Sequence, residues 1–346
     1  MNDWTPHLET SSTRSAPQNA LQDVSQNAPR ASLQDFYDRE LRPLVSALES
    51  ERSSAWTMCL ITLMLVAFGA FFGALYAWKN RWPPQVSFFV LVFGLVIAGM
   101  VYASAMNGYK RHFKMAVVER VVRYLDPQLF YDVQGHIPQS DFVKSQIFSS
   151  DIDRFSGEDL VQGTLSQTQF RFSQIHAEKR VKTKNGHRWV TIFQGLFFIA
   201  DFNKNFVGST VVLPDTAQRM FGNFGQTLQS WGTSFSGREL VRLEDPEFEQ
   251  QFAVYSTDQI EARYILSPAL MRRLLDLKRD KGCEVYVSFV APHVKVALPQ
   301  THSIFEPPLR GPVLPLEKVE KFLDELNDVL EIITQLDLNT RIWTKD

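Results

Sequence analysis

Charge is missing from two long stretches of this 346-residue chain: none lies between Ala55 and Trp78, and none between Trp82 and Tyr109. Cysteine is nearly absent. Cys59 lies inside the first uncharged stretch and Cys283 far from it, which excludes a disulfide framework or a cysteine-based zinc site. There is no excess of positive charge, since the net charge is -2 and the pI about 6.4, so the basic footprint of a nucleic-acid-binding protein is lacking. The patterns GxxxxGKS/T, GxGxxG, GxSxG and HExxH are all absent, which removes the phosphate-cradling loop, the nucleophile elbow and the metalloprotease helix. Asp151, Asp153 and Glu158 have some of the spacing of a calcium loop. However, Ser156 stands where that loop needs glycine and Gln162 where it needs a bidentate glutamate, so no metal or other cofactor is expected.

What fills the uncharged stretches is apolar. A mean hydropathy of -0.15 hides this, because the charges crowd elsewhere. Trp56–Trp78 and Val86–Met106 are each long enough to cross a hydrocarbon layer of about 30 Å as a helix. Trp56 and Trp78 bracket the first run, and Trp82 and Tyr109 flank the second, as interfacial aromatics do. Pro83-Pro84 interrupts any continuous helix between them, so two antiparallel spans are expected, with the bilayer as their partner. Small residues (Gly69, Ala70, Gly73 and Ala74 in the first; Gly94, Ala98 and Gly99 in the second) are expected where the spans touch. No ionisable side chain lies within either span, so they read as an anchor rather than an ion path. Arg39, Arg42 and Arg52 precede the first span, and Lys110, Arg111, Lys114, Arg120 and Arg123 follow the second. Only Lys79 and Arg81 lie between, which places both termini in the cytoplasm.

The remaining chain sorts into three parts. Residues 1–31 are polar and aperiodic and read as a disordered tail. Residues 32–125 hold the hairpin and two amphipathic helices, Leu33-Tyr37-Leu41-Leu44-Leu48 before it and Phe113-Val117-Val121-Leu125 after it. Residues 126–346 read as a soluble α+β domain with a mainly antiparallel sheet, divided near 222–240 by a Gly/Ser/Thr-rich stretch. Strands are expected at 129–133, 160–165, 169–181, 189–202, 209–213, 252–255, 283–290 and 293–298, with turns at Asn185-Gly186 and over 203–205. A helix over 142–148 would be capped by Ser140, and another would start at Ser267-Pro268 and stop at Gly282. The last helix, Leu316–Leu336, has heptad spacing that leaves a homo-oligomeric coiled coil open, but its apolar stripe is wide enough to favour packing within its own domain.

Candidate functional residues are few. Lys179, Arg180, Lys182, Lys184 and Arg188 crowd around the Asn-Gly turn, a basic tip that could touch anionic lipid, although a solvated hairpin tip is the commoner meaning of such a cluster. His176 and Glu178 share a strand face, where a polar surface pair is the commoner meaning. Cys283 reads as a small core residue, and Glu261 with Arg263 as an ion pair fixing a turn.

Three segments carry a resemblance: DRFSGEDLVQGTLSQTQFRFSQIHAE from Asp153, RWVTIFQGLFFIADFNKNF from Arg188, and LEDPEFEQQFAVYSTDQIEARYILSP from Leu243. They resemble the bacterial domain-of-unknown-function family 3137, and the similarity extends from the hairpin to Arg341–Trp343. The resemblance implies a bacterial membrane protein with a soluble domain and carries no reaction; with two helical spans and cytoplasmic termini, the inner membrane is the expected location. The first expectation is therefore a membrane-tethered, non-catalytic module that binds a cytoplasmic protein or the membrane surface. The second is an enzyme assembling scattered residues such as His176, Glu178 and Asp201. The third is an accessory subunit of a transporter, which would need partner spans.

Overall fold

The computed structural model describes residues 30–80, 85–148, 151–184, 186–202, 206–215, 237–301, 303–308, 313–336 and 338. Most of the expected tail, most of the 222–240 division and the turns at Pro83-Pro84 and 203–205 lie outside the described residues. Between Pro43 and Leu44 the chain divides into two compact units. The first contributes α1 (Arg30–Phe36) and a π-helical turn, Tyr37–Leu41. Asp35 pairs with Arg39 there at 3.2 Å, an exposed contact one turn apart worth a few tenths of a kcal/mol.

Helix α2 (Arg42–Lys79) begins at the boundary, and α3 (Gln85–Phe113) follows it. Both are long and apolar enough to cross a membrane. Their apolar side chains point away from the protein: Met64 is 71% exposed and Phe93 68%. A core helix would bury these groups, and an apolar surface of this size needs a non-aqueous surrounding. The two helices touch where Gly94 meets Val66, so closely that a Cβ on Gly94 would fall 2.6 Å from Val66 Cγ1. Ala98 is buried on the same line, and Trp56 meets Tyr102 edge-on at 5.6 Å. Gly69, Gly73 and Gly99 have open space beside them, so the meeting line uses only part of the expected small-residue stripe.

Below the apolar stretches, His112 Nδ1 lies 3.0 Å from Glu51 Oε2, and Val45, Leu48, Phe113, Val117 and Val121 are buried. A second π-helical turn, Lys114–Val118, carries α3 without a break into α4 (Glu119–Leu125). Asp126 is extended, as a residue before proline must be, and ends the helix.

Nine described strands then form one antiparallel sheet in the order β1-β2-β3-β4-β9-β8-β5-β7-β6. They are β1 (Phe130–Asp132), β2 (Arg154–Leu165), β3 (Thr168–Thr183), β4 (Gly186–Asp201), β5 (Ser209–Pro214), β6 (Glu239–Val241), β7 (Phe252–Ser256), β8 (Tyr286–Val290) and β9 (His293–Pro299). The fold is α+β, as expected. β2 starts six residues earlier than the alternation suggests, because Asp159 takes a left-handed φ of +62° and the register slips between Glu158 and Val161. A bulge of this kind reverses which side chains face inward and so erases a period-2 pattern.

One sheet face packs Ile175, Phe197 and Ile199 against Phe142, Ile147 and Phe148. Phe142 belongs to α5 (Gln139–Val143), which begins after Pro138 with no side-chain cap, so the expected Ser140 cap is not used. The helix is also shorter than expected, since Gln146 turns left-handed at φ +59°. Helices α6 (Pro246–Gln251), α7 (Gln259–Ile265) and α8 (Pro268–Lys281) follow, and α8 matches its sequence signals: Ser267 Oγ accepts from the Leu270 N–H, and Gly282 ends it at φ +59°. Helix α9 (Leu316–Gln335) buries Val319, Phe322, Leu326, Val329, Leu330, Ile332 and Ile333 within the chain, the wide-stripe expectation.

Candidate membrane-facing site

The five basic residues lie on the outer half of the β3–β4 hairpin. The strands pair from Phe170 with Ala200 out to Thr183 with Gly186, while β2 accompanies β3 only as far as Arg154 opposite Glu178. Residues 179–183 and 186–190 therefore continue past the sheet as a two-stranded ribbon. Asn185, half of the expected turn, lies outside the described residues, and Gly186 has φ +132°, a region that favours glycine.

Directly opposed residues share a face of a ribbon. One face carries Arg180 opposite Trp189 and Lys182 opposite His187; the other carries Lys179 opposite Val190 and Val181 opposite Arg188. The five cations thus do not form one patch. Lys179 is tied to Asp151 at 2.9 Å, whereas Arg180, Lys182, Lys184 and Arg188 form no ion pair among the described residues. The Arg180 backbone N–H donates to Asp153 Oδ2 at 2.7 Å and fixes the base of the ribbon. Two residues missed in the sequence complete the first face. Trp189, 43% exposed, lies under the Arg154 guanidinium, 4.1 Å from the ring centroid, and Arg154 also pairs with Glu178 at 3.1 Å. The signal for Trp189 was present, an aromatic residue beside basic ones; that for Arg154 was not, because it is distant in sequence.

The ribbon's direction follows from a buried junction between α3 and the sheet. Lys114 Nζ donates to Asp159 Oδ2 at 2.6 Å and lies 2.8 Å from Glu158. Tyr131 donates its hydroxyl to Asp159 Oδ1 at 2.6 Å, and Ser303 donates to Oδ2 at 3.0 Å. Asp159 is only 1% exposed. Burial pushes its carboxyl above the usual range, and Lys114 and Tyr131 pull it part of the way back. After a turn closed by the Leu129 N–H on the Asp126 carbonyl, β1 packs beside α4 and pairs Phe130 with Gln162 and Asp132 with Leu160. Going from Lys114 to Phe130, away from the apolar stretch, thus runs along β2 from Asp159 towards Gln162. The Arg154 end of β2 faces the apolar helices, and so does the ribbon end of antiparallel β3.

The other sequence candidates separate. His176 Nε2 is 3.8 Å from Glu178 Oε1, but Glu178 is already held by Arg154. Asp201 is remote from both: it lies on the sheet face of Ile199, with His293 at 3.5 Å, whereas His176 alternates with the core residues Ile175 and Ala177 and faces the other way. An open cleft of about 420 Å³ beside His176 is lined by Gln174, Gln194, Gln300 and Ser303, and one of about 500 Å³ contains Arg171, Asp201 and His293. Burial raises the Cys283 thiol, which keeps it protonated. Glu261 pairs differently from the expectation: it accepts from the backbone N–H groups of Val207 at 2.6 Å and Gly208 at 2.7 Å, while Arg263 donates to the Gln259 and Arg242 carbonyls. The turn is fixed by Glu261, but through backbone bonds.

A family model described as "Protein of unknown function (DUF3137)" matches residues 191–338, which is narrower than the resemblance read from the sequence and leaves out the segment from Asp153 to Glu178. No curated protein matches the chain. The crystal structure of the mycobacterial trehalose monomycolate transport factor A, TtfA, aligns with 10% identity over 62% of this chain and 95% of that one, at a TM-score of 0.31. A score that low says nothing of fold or activity.

Proposed function

We propose that this chain, whose segment 191–338 belongs to the DUF3137 family, is a bacterial inner-membrane protein that holds a non-catalytic binding module at the cytoplasmic surface. The observation that supports this most is the unbroken course of α3 through the Lys114–Val118 turn into α4, with Lys114 locked to Asp159 of the sheet. A helix with an apolar exterior that is fixed to a sheet domain is suited to setting where that domain sits. The cytoplasmic orientation rests on the basic residues before α2 and after α3, which outnumber Lys79 and Arg81 between them. The non-catalytic part rests on His176 and Glu178 lying on the opposite sheet face from Asp201.

Labelling tests the topology. Ile260 in α7 is 82% exposed, so Ile260→Cys in a Cys59→Ser, Cys283→Ser chain presents one accessible thiol. A membrane-impermeant maleimide should label it only after lysis. Labelling in cells whose outer envelope alone is permeabilised would put the domain on the far side and overturn the proposal.

A further inference from the structure

We infer that the β3–β4 ribbon docks on anionic lipid headgroups of the same membrane that holds α2 and α3, through the face bearing Arg180, Lys182, His187 and Trp189. The inference rests on the tethered reading above and names the partner of its module. Three observations carry it. The first is direction: the junction at Lys114 and Asp159 turns the free end of the ribbon towards the apolar helices. A partner in bulk solvent would not require that.

The second is reach. Along α3, Lys114 lies eight residues below Met106, about 12 Å at the rise of a helix. From Asp159 the strands continue five residues to Arg154, and β3 adds five more from Glu178 to Thr183, about 33 Å at the rise of a strand. The ribbon therefore reaches the headgroup plane even when tilted by about 60° from the helix. The third is chemistry. Arg180 and Lys182 form no ion pair among the described residues, and Trp189 between them and Arg154 supplies the amphipathic ring that favours the membrane interface. Two of the carboxylates at the ribbon base are ion-paired, Glu178 with Arg154 and Asp151 with Lys179 on the opposite face, and the third, Asp153, accepts from the Arg180 backbone N–H. Each cation near an anionic surface strengthens association about fivefold.

The test uses the full chain with Cys59→Ser, Cys283→Ser and His187→Cys, carrying a nitroxide at position 187 on the docking face itself, in nanodiscs of phosphatidylcholine with or without phosphatidylglycerol. The readout is accessibility of the nitroxide to a neutral nickel chelate. Accessibility should fall at least about threefold when the anionic lipid is added, and Arg180→Glu with Lys182→Glu should restore it. Arg188→Glu, on the other face, should leave the protection in place. Equal accessibility in both lipids overturns the inference. So does restoration by Arg188→Glu to the same extent, because that would remove the facial specificity. A chain that elutes free of the discs overturns the tethered reading itself, whereas a chain retained in them with an accessible ribbon overturns only the docking.

Discussion

Replacing Lys114 by Met strips the buried Asp159 carboxylate of its one cationic partner among the described residues. Removing one member of a buried pair generally costs about 3–5 kcal/mol, because the remaining charge is left in a poor solvent. Tyr131 and Ser303 still donate to Asp159, so the orphaned group stays hydrogen-bonded and the lower end, about 3 kcal/mol, applies at neutral pH. Asp159→Asn should cost less, about 1–3 kcal/mol, because Glu158 remains 2.8 Å from Lys114 and still compensates it. Asn also accepts the left-handed φ of +62° that Ala or Leu would resist. The double variant should lose less than the sum of the two. Thermal unfolding of the full chain in detergent, followed by near-UV circular dichroism, reads this out as a fall of about 10 °C for Lys114→Met. The pH dependence gives a second check. In Lys114→Met the folded-state pKa of Asp159 stays above its unfolded value, so stability is intact at low pH and lost as pH rises towards that pKa. The deficit should deepen as pH rises above the ordinary carboxylate range. A Lys114→Met chain within about 1 kcal/mol of the parent, or a double variant as costly as the sum, would refute a charge-paired junction.

Lys295 on β9 is buried, its Nζ 3.3 Å from the Lys144 carbonyl, and burial lowers its pKa to about 8. The folded chain sheds this proton near pH 8 while the unfolded chain keeps it to about 10.4, so stability should rise between about pH 8 and pH 10. Lys295→Met should flatten that rise relative to the parent and be more stable at pH 7, by about 3 kcal/mol at most, as thermal midpoints across the range would show. In the apolar hairpin, Gly94→Leu should force the helices apart at Val66 and lower the midpoint, whereas Gly69→Leu, with open space beside it, should stay within about 0.5 kcal/mol of the parent. Equal effects would misplace the contact between α2 and α3.

Parts of this molecule were legible wherever one local rule acts alone. The two apolar helices follow from an absence of charge, and α8 follows from Ser267-Pro268 at one end and Gly282 at the other, each a short-range stereochemical demand. The antiparallel hairpin of β3 and β4 follows from Asn185-Gly186 and from alternation through Phe170 and Phe172. Rules conflict elsewhere. Asp159 looks like a polar surface residue in GED, yet it is the buried acceptor for Lys114, Tyr131 and Ser303, whose sequence separations from it run from 28 to 144. A periodicity search cannot find such a group, since the bulge that buries it also breaks the period.

The ribbon shows the same division within one site. Its charges are adjacent in sequence, so Lys179, Arg180, Lys182, Lys184 and Arg188 stand out together, but the pleat divides them between two faces and Asp151 ties back Lys179. Which face can meet a membrane depends on the direction of β3 relative to α3, and that is set at Lys114 and Asp159, far from the turn. Loss of the junction and loss of the ribbon's charge should therefore differ in kind. Arg180→Glu with Lys182→Glu should weaken contact without loosening the fold, whereas Lys114→Met should loosen the link that aims the ribbon while leaving every ribbon charge in place.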